Sequence, residues 1–280
     1  MSDSNLSPLT AQDGTNLVVI DWSPDEGPVR GVVLIVHGLG EHAWRYDHVA
    51  QRLNSWGFVV RSYDQFGHGE SMGKRGALPN AERLLSDLAE VVDESRARMN
   101  DTTPLIVLGH SMGGLVAARF VSLATRPVQA LVLSSPVLDP GLGLFQRFLL
   151  SFLPRIAPDL RVGNGLDPNY ISHDPAVVAA YKADRMVHDR ISARLAAFIA
   201  HTGPATVAAA SGWIVPTLLL YAGDDRLVNP AGSRAFAQAA PPGAVKAVCF
   251  DKLYHEIFNE LAPDREQVFA ELKEWLDARF

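Results

Sequence analysis

Short apolar runs alternate with longer amphipathic segments along most of this sequence. The runs are rich in Leu and β-branched residues and show no polar alternation, which is typical of strands buried on both faces of a sheet. They lie at 32–36, 58–60, 105–108, 130–133, 218–221 and 245–250. Residues 17–22 are expected to add an antiparallel strand at the edge of the same sheet.

The segments between these runs carry apolar residues at helical spacing. They lie at 43–56, 81–99, 112–124, 232–239 and 263–280. Regular alternation of strands and helices predicts an α/β fold, in which a mostly parallel sheet has helices on both faces. The 280 residues fit one such domain, spanning 1–280.

The alternation stops between residues 135 and 212, where the sequence is rich in Leu, Phe, Ala and Pro and favours helices. This stretch is far longer than the usual connection between a strand and a helix. Ligands of open α/β sheets bind in the crevice beyond the carboxyl ends of the strands. We therefore expect residues 135–212, here called the cap segment, to form a helical cap inserted within the domain above that crevice.

Composition and charge narrow the range of partners and compartments. The sequence has 25 Lys and Arg residues against 31 Asp and Glu residues, so it lacks the basic surface that binds nucleic acid through phosphates. Its single cysteine, Cys249, excludes an internal disulfide framework and a cysteine-rich metal site. The first residues, MSDSNLS, do not resemble a secretory signal, and no apolar run is long enough to span a membrane. We expect a cytoplasmic protein.

A candidate nucleophile lies in the hexapeptide GHSMGG at 109–114. The hexapeptide follows a predicted strand and opens a predicted helix, which is the context of the G-x-S-x-G nucleophile elbow. Such a turn holds Ser111 at positive φ and lifts its hydroxyl above the sheet, and side chains at positions 109 and 113 would collide with neighbouring backbone. An ordinary glycine-rich turn, with Ser111 as a helix N-cap, is the alternative interpretation.

A serine hydroxyl needs a base and an orienting acid, and in the fold of this motif they follow the serine in the order acid, then histidine. Among the nine histidines, only His255 lies after the last predicted strand. Asp224 and Asp225 both follow the predicted strand 218–221. The residue pattern does not separate these two aspartates, because Asp224 could equally be a turn-forming residue.

The other wall of the predicted site follows the strand 32–36. Glycines at positions 38 and 40 allow backbone N–H groups to face a ligand there. A developing oxyanion would take the N–H groups of Leu39 and of Met112, the residue after the nucleophile. The sequence therefore predicts an oxyanion hole between the two glycine-rich turns.

The same segment also supports a different class of protein, an NAD-dependent oxidoreductase. Residues 38–43 (GLGEHA) match G-x-G-x-x-A after a strand, and Asp64 ends the next strand, near the place of a ribose-binding acid. This interpretation leaves the serine elbow and the late Asp and His residues without a role. A titration with NAD(H) would distinguish the two.

Several motifs together resemble the α/β-hydrolase superfamily and, within it, the branch of monoacylglycerol lipases and lysophospholipases. They are HGLGEH at 37–42 with RY at 45–46, YDQFGHGES at 63–71, GHSMGG at 109–114, GDDRLV at 223–228 and YHE at 254–256. The resemblance implies an α/β-hydrolase fold with Leu39 and Met112 as oxyanion donors. It also selects Asp225 as the acid, because in this branch the acid directly precedes an Arg-Leu pair.

The resemblance further implies that Glu41 and Arg45 shape a pocket for the polar head of the substrate. A local i,i+4 ion pair that steadies the loop is an equal alternative for these two residues. Animal members of the branch tend to carry a second histidine three residues after the catalytic one. This sequence departs from that pattern, since the position is Phe258.

A helix predicted at 142–153, within the cap segment, has a strongly apolar stripe. Pro154 should end or kink this helix. A stripe that faces the core is the first interpretation. The second is an acyl channel, or a surface that transiently contacts a membrane while Arg147 and Arg155 meet lipid head groups. The substrate-binding candidates on this stripe are Phe145, Phe148, Leu149 and Phe152.

The expected function is hydrolysis of a carboxylic ester, above all of a monoacylglycerol, to a fatty acid and glycerol. Ser111 would form the acyl-enzyme, His255 would act as the base and Asp225 would hold it, with no metal or organic cofactor. Alternatives are a lysophospholipase, a short-chain carboxylesterase, a thioesterase, a proline-type aminopeptidase and a non-catalytic hydrolase-like receptor. The expected partner is a small lipid ester, and peripheral contact with a membrane is a further expectation.

Overall fold

A computed structural model describes residues 4–24 and 27–280, with the side chains of Leu144, Phe145 and Arg147 outside the described part. The strands of this part are Ser4–Thr10 (β1), Asn16–Trp22 (β2), Gly31–Val36 (β3), Phe58–Tyr63 (β4), Leu105–His110 (β5), Ala130–Ser134 (β6), Arg161–Gly163 (β7), Arg190–Ser192 (β8), Thr217–Ala222 (β9) and Val245–Phe250 (β10). Eight of them form one sheet in the order β1-β2-β4-β3-β5-β6-β9-β10, and β7 pairs with β8. Strand β2 is antiparallel to β1 and β4, and the other neighbours in the large sheet are parallel.

The α-helices of the described part are Asp47–Asn54 (α1), Arg83–Ala97 (α2), Met112–Ser122 (α3), Leu144–Ile156 (α4), Pro175–Ala183 (α5), Ala193–Ala209 (α6), Ala231–Ala239 (α7) and Asp264–Asp277 (α8). Two hydrophobic cores lie on opposite faces of the sheet, one containing residues of α2, α3, α6 and α7 and the other residues of α1 and α8. Strand β3 supplies both: Leu34 and Val36 enter the first core, Val33 and Ile35 the second. This arrangement confirms the predicted mostly parallel sheet with helices on both faces.

The two edges of the sheet differ from the prediction. Strand β2 is antiparallel as expected, but β1 lies outside it, so residues 17–22 are not the edge. The β1 sequence, SNLSPLT, contains no apolar run, and its Pro8 is tolerated because an edge strand leaves one row of N–H groups unpaired. At the other edge, β10 has a single neighbour and is only partly buried, so the expectation of burial on both faces is wrong at 245–250.

The cap segment runs between β6 and β9 and holds α4, α5, α6 and the β7–β8 pair. This strand pair was not predicted, because its three-residue strands are largely exposed and too short to show a pattern. Pro154 lies inside α4, which ends two residues later at Ile156. No helix in the described ranges is both long enough and apolar enough to cross a bilayer.

Candidate active site

Ser111 lies at the sharp turn between β5 and α3. Its φ and ψ are 52° and −118°, a conformation that costs free energy for any residue with a side chain. A Cβ at position 113 would overlap the carbonyl oxygen of Val36, and one at position 109 would lie 2.5 Å from the carbonyl oxygen of Gly113. The predicted positive φ of Ser111 and the predicted need for glycine on both sides are therefore confirmed.

The structure brings Asp225 and His255 together. The Nδ1 atom of His255 lies 2.7 Å from Oδ2 of Asp225. The other carboxylate oxygen of Asp225 accepts the backbone N–H groups of Leu227 and Val228, each at 2.9 Å. Asp224, by contrast, faces solvent and pairs with Arg226. Of the two adjacent aspartates, only Asp225 is placed to orient the histidine.

Burial and charge together set the protonation states of this pair. Burial alone would lower the pKa of His255, but the charge and hydrogen bond of Asp225 outweigh it and raise that pKa above its ordinary value. Burial would raise the pKa of Asp225, yet His255 and the N–H groups of residues 227 and 228 lower it. The geometry thus favours an ionised Asp225 beside an imidazole that readily accepts a proton.

Ser111 and His255 face the same two cavities. Within the described residues, no hydrogen bond joins the Ser111 hydroxyl to the His255 ring. Catalytic contacts of this kind are often long without substrate and tighten when substrate binds. The serine and the histidine therefore share one site, while the hydrogen bond that completes the relay is not formed in this structure.

Leu39 and Met112 frame the position of the predicted oxyanion hole. Leu39 lines both cavities, and Met112 lines one of them as the first residue of α3. In the described part of the chain, neither backbone N–H has a hydrogen-bond acceptor. First-turn N–H groups of a helix are unsatisfied by the helix itself and lie at its positive end. Both groups are thus free to bind a developing negative charge.

His37 fixes the loop that carries Leu39. Its Nε2 accepts the backbone N–H of Gln65 at 2.9 Å, so its Nδ1 carries the proton and donates to the carbonyl of Gly38 at 2.8 Å. The Gln65 side-chain amide also donates to the His37 carbonyl at 2.7 Å. The loop is held on both sides by buried groups.

Two cavities of opposite character meet at Ser111. The first has a volume of about 280 Å³ and a wall that mixes charged with apolar side chains, and the second has a volume of about 300 Å³ and a mainly apolar wall. Charged side chains along the first are Glu41, Asp167, Lys182, Asp184, Asp189 and Glu256. Aliphatic side chains along the second are Val137, Leu142, Leu149, Leu150, Leu153, Ile191, Ile199 and Val228. The two are called below the polar cavity and the apolar cavity.

The predicted substrate-binding residues of the cap segment divide between the inside and the outside of α4. Leu149 lines the apolar cavity, as the acyl-channel interpretation predicts. Phe148 and Phe152 line neither cavity; they are 63% and 37% exposed, with ring centroids 5.3 Å apart. The apolar stripe is thus broad enough to wrap around the helix, and these two rings lie on the side away from the two cavities. The Phe145 side chain lies outside the described part.

Glu41 and Arg45 form the expected i,i+4 ion pair, but a third residue joins them. Arg45 makes two hydrogen bonds of 2.7 Å to the carboxylate of Glu256, the residue after His255. Glu41 lines the polar cavity, whereas Arg45 lies behind the wall that Glu41 and Glu256 form. The prediction that Arg45 itself shapes the cavity wall is therefore not met. The partner Glu256 was missed because it lies 211 positions away in the sequence.

His110 is a further residue that the sequence did not single out. Its ring centroid lies 4.8 Å from that of His255, and its Nδ1 contacts the hydroxyl of Ser134 at 3.0 Å. Burial, and after it the neighbouring His255, lower the pKa of His110 to about 4. A neutral His110 leaves His255 as the titrating imidazole of the site near neutral pH. Its place inside the nucleophile motif is the only signal that could have identified it.

Asp64 has a structural role that does not suit a dinucleotide site. Its two carboxylate oxygens accept the backbone N–H groups of Ala43 at 2.8 Å and Glu70 at 2.7 Å. The side chain is fully buried, so no ribose hydroxyl can reach it. The NAD-dependent interpretation thereby loses the acid on which it depends.

Comparisons with known proteins agree with this geometry. A family model described as serine aminopeptidase, S33, matches residues 27–262. The chain belongs to this family. The chain is 37% identical over 266 residues to the monoacylglycerol lipase of Mycolicibacterium smegmatis, across 94% of this chain and 93% of that protein. It is also 30% identical over 260 residues to phospholipase YtpA of Bacillus subtilis, across 91% and 98% of the two chains.

A solved structure supports the same placement. The crystal structure of the Paleococcus ferrophilus monoacylglycerol lipase matches this structure with a TM-score of 0.85 and 33% identity, across 94% of this chain and 98% of that chain. These similarities confirm the α/β-hydrolase fold and the resemblance to the monoacylglycerol lipase branch. The protein is a hydrolase of that fold.

Proposed function

We propose that this protein hydrolyses the ester bond of a long-chain monoacylglycerol through an acyl-enzyme on Ser111. The observation that carries the proposal is the meeting of a polar and an apolar cavity at one serine. A single-chain lipid ester has the same division into a polar alcohol and an apolar chain on either side of its carbonyl. The relatives named as monoacylglycerol lipases support the same substrate class.

The catalytic relay assigns one role to each polar residue. Neutral His255 accepts the proton of the Ser111 hydroxyl as the oxygen attacks the ester carbonyl, and it then gives the proton to the leaving glycerol. Asp225 holds the imidazole through Nδ1 and stabilises the imidazolium. Water then gives a proton to His255 as its oxygen attacks the acyl-enzyme. His255 returns that proton to the oxygen of Ser111 as the fatty acid leaves.

The oxyanion of each tetrahedral intermediate takes two hydrogen bonds, from the N–H groups of Leu39 and Met112. Removing one such donor typically costs about 10²–10³ in rate. Both donors are positioned before substrate arrives, Met112 by the start of α3 and Leu39 by the loop that His37 holds. The carbonyl carbon is thereby placed between Ser111 and the two donors.

The two cavities give the substrate its direction. The aliphatic wall of the apolar cavity removes the acyl chain from water, at a gain of about 0.8 kcal/mol for each buried CH₂ group. The polar cavity receives the glycerol, whose hydroxyls can donate to the carboxylates along its wall. The cap segment supplies side chains to both cavities and, in this proposal, acts as the lid of the site.

A lysophospholipase is the second candidate, favoured by the similarity to phospholipase YtpA. The charge of the polar cavity argues against it. Five carboxylates line that cavity, and Lys182 is the only permanent cation among its described lining residues. A phosphate next to the leaving alcohol would face like charges, which cost several kcal/mol when they are juxtaposed.

The exposed face of α4 and the residues after it suggest how the enzyme reaches its substrate. Large apolar side chains are exposed at Phe148, Phe152, Ile156 and Leu160, next to exposed Arg155 and Arg161, and the half-exposed Val162 and Leu166 also line the apolar cavity. Apolar side chains rimmed by cations favour the interface of a membrane that carries anionic lipid. We propose that this face contacts the membrane transiently while the ester passes into the cavities.

The test of the proposed function is a pair of substrate series measured with the wild type and with Ser111→Ala. The first is a set of 1-acylglycerols of increasing chain length, and the second is the same set carrying a phosphate on the glycerol. We expect kcat/KM to rise with chain length and to favour the neutral substrate by at least about tenfold. A preference for short chains would remove the monoacylglycerol proposal, and a preference for the phosphate would favour the lysophospholipase.

A further inference from the structure

Arg45 joins two loops that carry different parts of the catalytic machinery. One nitrogen of its guanidinium lies 2.5 Å from Glu41 and 2.7 Å from Glu256, and the other lies 2.7 Å from the second oxygen of Glu256. The same guanidinium lies over the ring of Tyr181, from helix α5 of the cap segment, with 4.7 Å to the centroid. Arg45 therefore contacts Glu41 from its own segment, Glu256 from the loop after β10, and Tyr181 from the cap segment.

Glu41 and Glu256 each connect Arg45 to a segment that carries a catalytic group. Glu41 accepts the backbone N–H of Gly38 at 2.5 Å and the hydroxyl of Tyr46 at 2.7 Å, so it fixes the loop that presents Leu39. Glu256 follows His255 directly and accepts the side-chain amide of Asn259 at 2.7 Å. Displacing Arg45 would release the oxyanion loop and the histidine loop together.

The three side chains of this group are almost fully buried. The exposed fractions of Glu41, Arg45 and Glu256 are 5%, 11% and 7%. Burial alone would raise the pKa of Glu41, but Arg45, and after it His110 and His37, lower it to about 2. The group thus contains two carboxyl groups and one guanidinium, and one of the carboxyl groups belongs to the residue directly after His255.

Charges of this group also act on the base itself. The charges that act most strongly on His255 are those of Asp225, Glu256 and Glu41, and all three favour the protonated imidazole. The neighbouring His110 is held neutral, as described above. Arg45 is in turn the charge that contributes most to the low pKa of the buried Glu41.

We infer that Arg45 is a positioning residue that holds the oxyanion loop and the catalytic histidine in register through Glu41 and Glu256. This inference rests on the proposed function, since it assigns its role relative to Ser111 and His255. The register depends on the forked guanidinium of Arg45, which binds both carboxylates at once.

The test compares Arg45→Lys with Glu256→Gln, using the pH profile of kcat/KM and a separate measurement of kcat and KM on a soluble p-nitrophenyl ester. Lysine keeps the charge but cannot bind both glutamates as a fork. In Arg45→Lys we expect kcat to fall about tenfold and KM to stay within about twofold of the wild-type value. The acidic limb of the pH profile of kcat/KM should not move. Glutamine keeps the shape but removes the charge, so we expect the acidic limb to move to lower pH by about half a unit or more.

Arg52→Lys is the matched control, because Arg52 forms a similar two-bond pair with Glu266 on an exposed surface. It should leave both kcat and the limb unchanged. A wild-type kcat in Arg45→Lys, or a kcat loss in Arg52→Lys as large as in Arg45→Lys, would overturn the inference. If Arg45→Lys does not fold, the kcat of Glu256→Gln decides, because that variant weakens the same two-bond contact; a wild-type kcat there would overturn the inference. Absence of Ser111-dependent activity in the wild type would instead overturn the proposed function.

Discussion

The imidazole of His255 is bound by Asp225 and not by Asp224, although the two aspartates are adjacent in the chain. Oδ2 of Asp225 lies 2.7 Å from Nδ1 of His255, while Asp224 pairs with Arg226 in solvent. The difference arises from the turn after β9, where the N–H groups of residues 227 and 228 hold Asp225 on the inner side.

This relationship predicts opposite outcomes for two similar variants. Asp225→Asn keeps the acceptor for the two backbone N–H groups but loses the charge that stabilises the imidazolium, so kcat should fall by about 10³–10⁴. Asp224→Asn should leave kcat within about twofold, because exposed ion pairs contribute little. Steady-state kinetics on one soluble ester measure both. Equal losses in the two variants would mean that the acid has been wrongly assigned.

The pH dependence of activity follows from the raised pKa of His255. Burial opposes the shift, but Asp225 outweighs it, and the mechanism requires the neutral imidazole. Activity should therefore be full at alkaline pH and be lost as the pH falls through a value above about 6.5, the ordinary pKa of histidine. The kcat/KM profile checks this. A rate that stays flat down to pH 4 would rule out a histidine base.

The close approach of α3 to β3 predicts that Gly113 cannot be replaced. A methyl group there would overlap the carbonyl oxygens of Val36, the last residue of the buried strand β3, and of His37, the residue after it. Gly113→Ala should lower the free energy of unfolding by about 1–3 kcal/mol or more and remove activity. Gly212→Ala is the control, since a Cβ there has no atom within 4 Å. Denaturant unfolding of both variants measures the difference, and equal stability would contradict the packing described.

The outward phenylalanines of α4 predict a variant that separates membrane contact from chemistry. Phe148→Ser combined with Phe152→Ser should weaken binding to anionic vesicles by about tenfold or more and slow hydrolysis of a vesicle-dispersed long-chain ester. Hydrolysis of a soluble short-chain ester should not change, because neither ring lines a cavity.

Ile214→Ser is the control for that experiment. Ile214 is 87% exposed and lies outside the cap segment, so its loss should not affect vesicle binding. Vesicle co-sedimentation and the two assays check the prediction together. Undiminished vesicle binding by the double variant would show that the membrane contact lies elsewhere.

Sequence patterns identified the features that are local or fixed by chain order. Buried strands appeared as apolar runs, and the elbow at Ser111 appeared as glycines that a crowded turn requires. The choice between Asp224 and Asp225 needed either the family motif or coordinates, since both side chains suit a turn. Strand β1 was missed because its polar residues and Pro8 give no period.

Contacts between distant segments were beyond the reach of the sequence. The pairing of Arg45 with Glu256 joins the first quarter of the chain to its last, and no local pattern marks it. The sequence also does not predict that the Phe148 side chain points outward. Apolar residues cover so much of α4 that the stripe does not define a single buried face.

The central claim is that Ser111 carries the acyl group during turnover. Its most direct test is rapid-quench mixing with a p-nitrophenyl ester, followed by mass spectrometry of the protein. Where deacylation is the slower step, the account predicts a burst of p-nitrophenol close to one equivalent per enzyme molecule. The mass of the acyl group should be found on the peptide that contains Ser111, and Ser111→Ala should show neither the burst nor the added mass. An acyl adduct on another residue, or full turnover by Ser111→Ala, would contradict it.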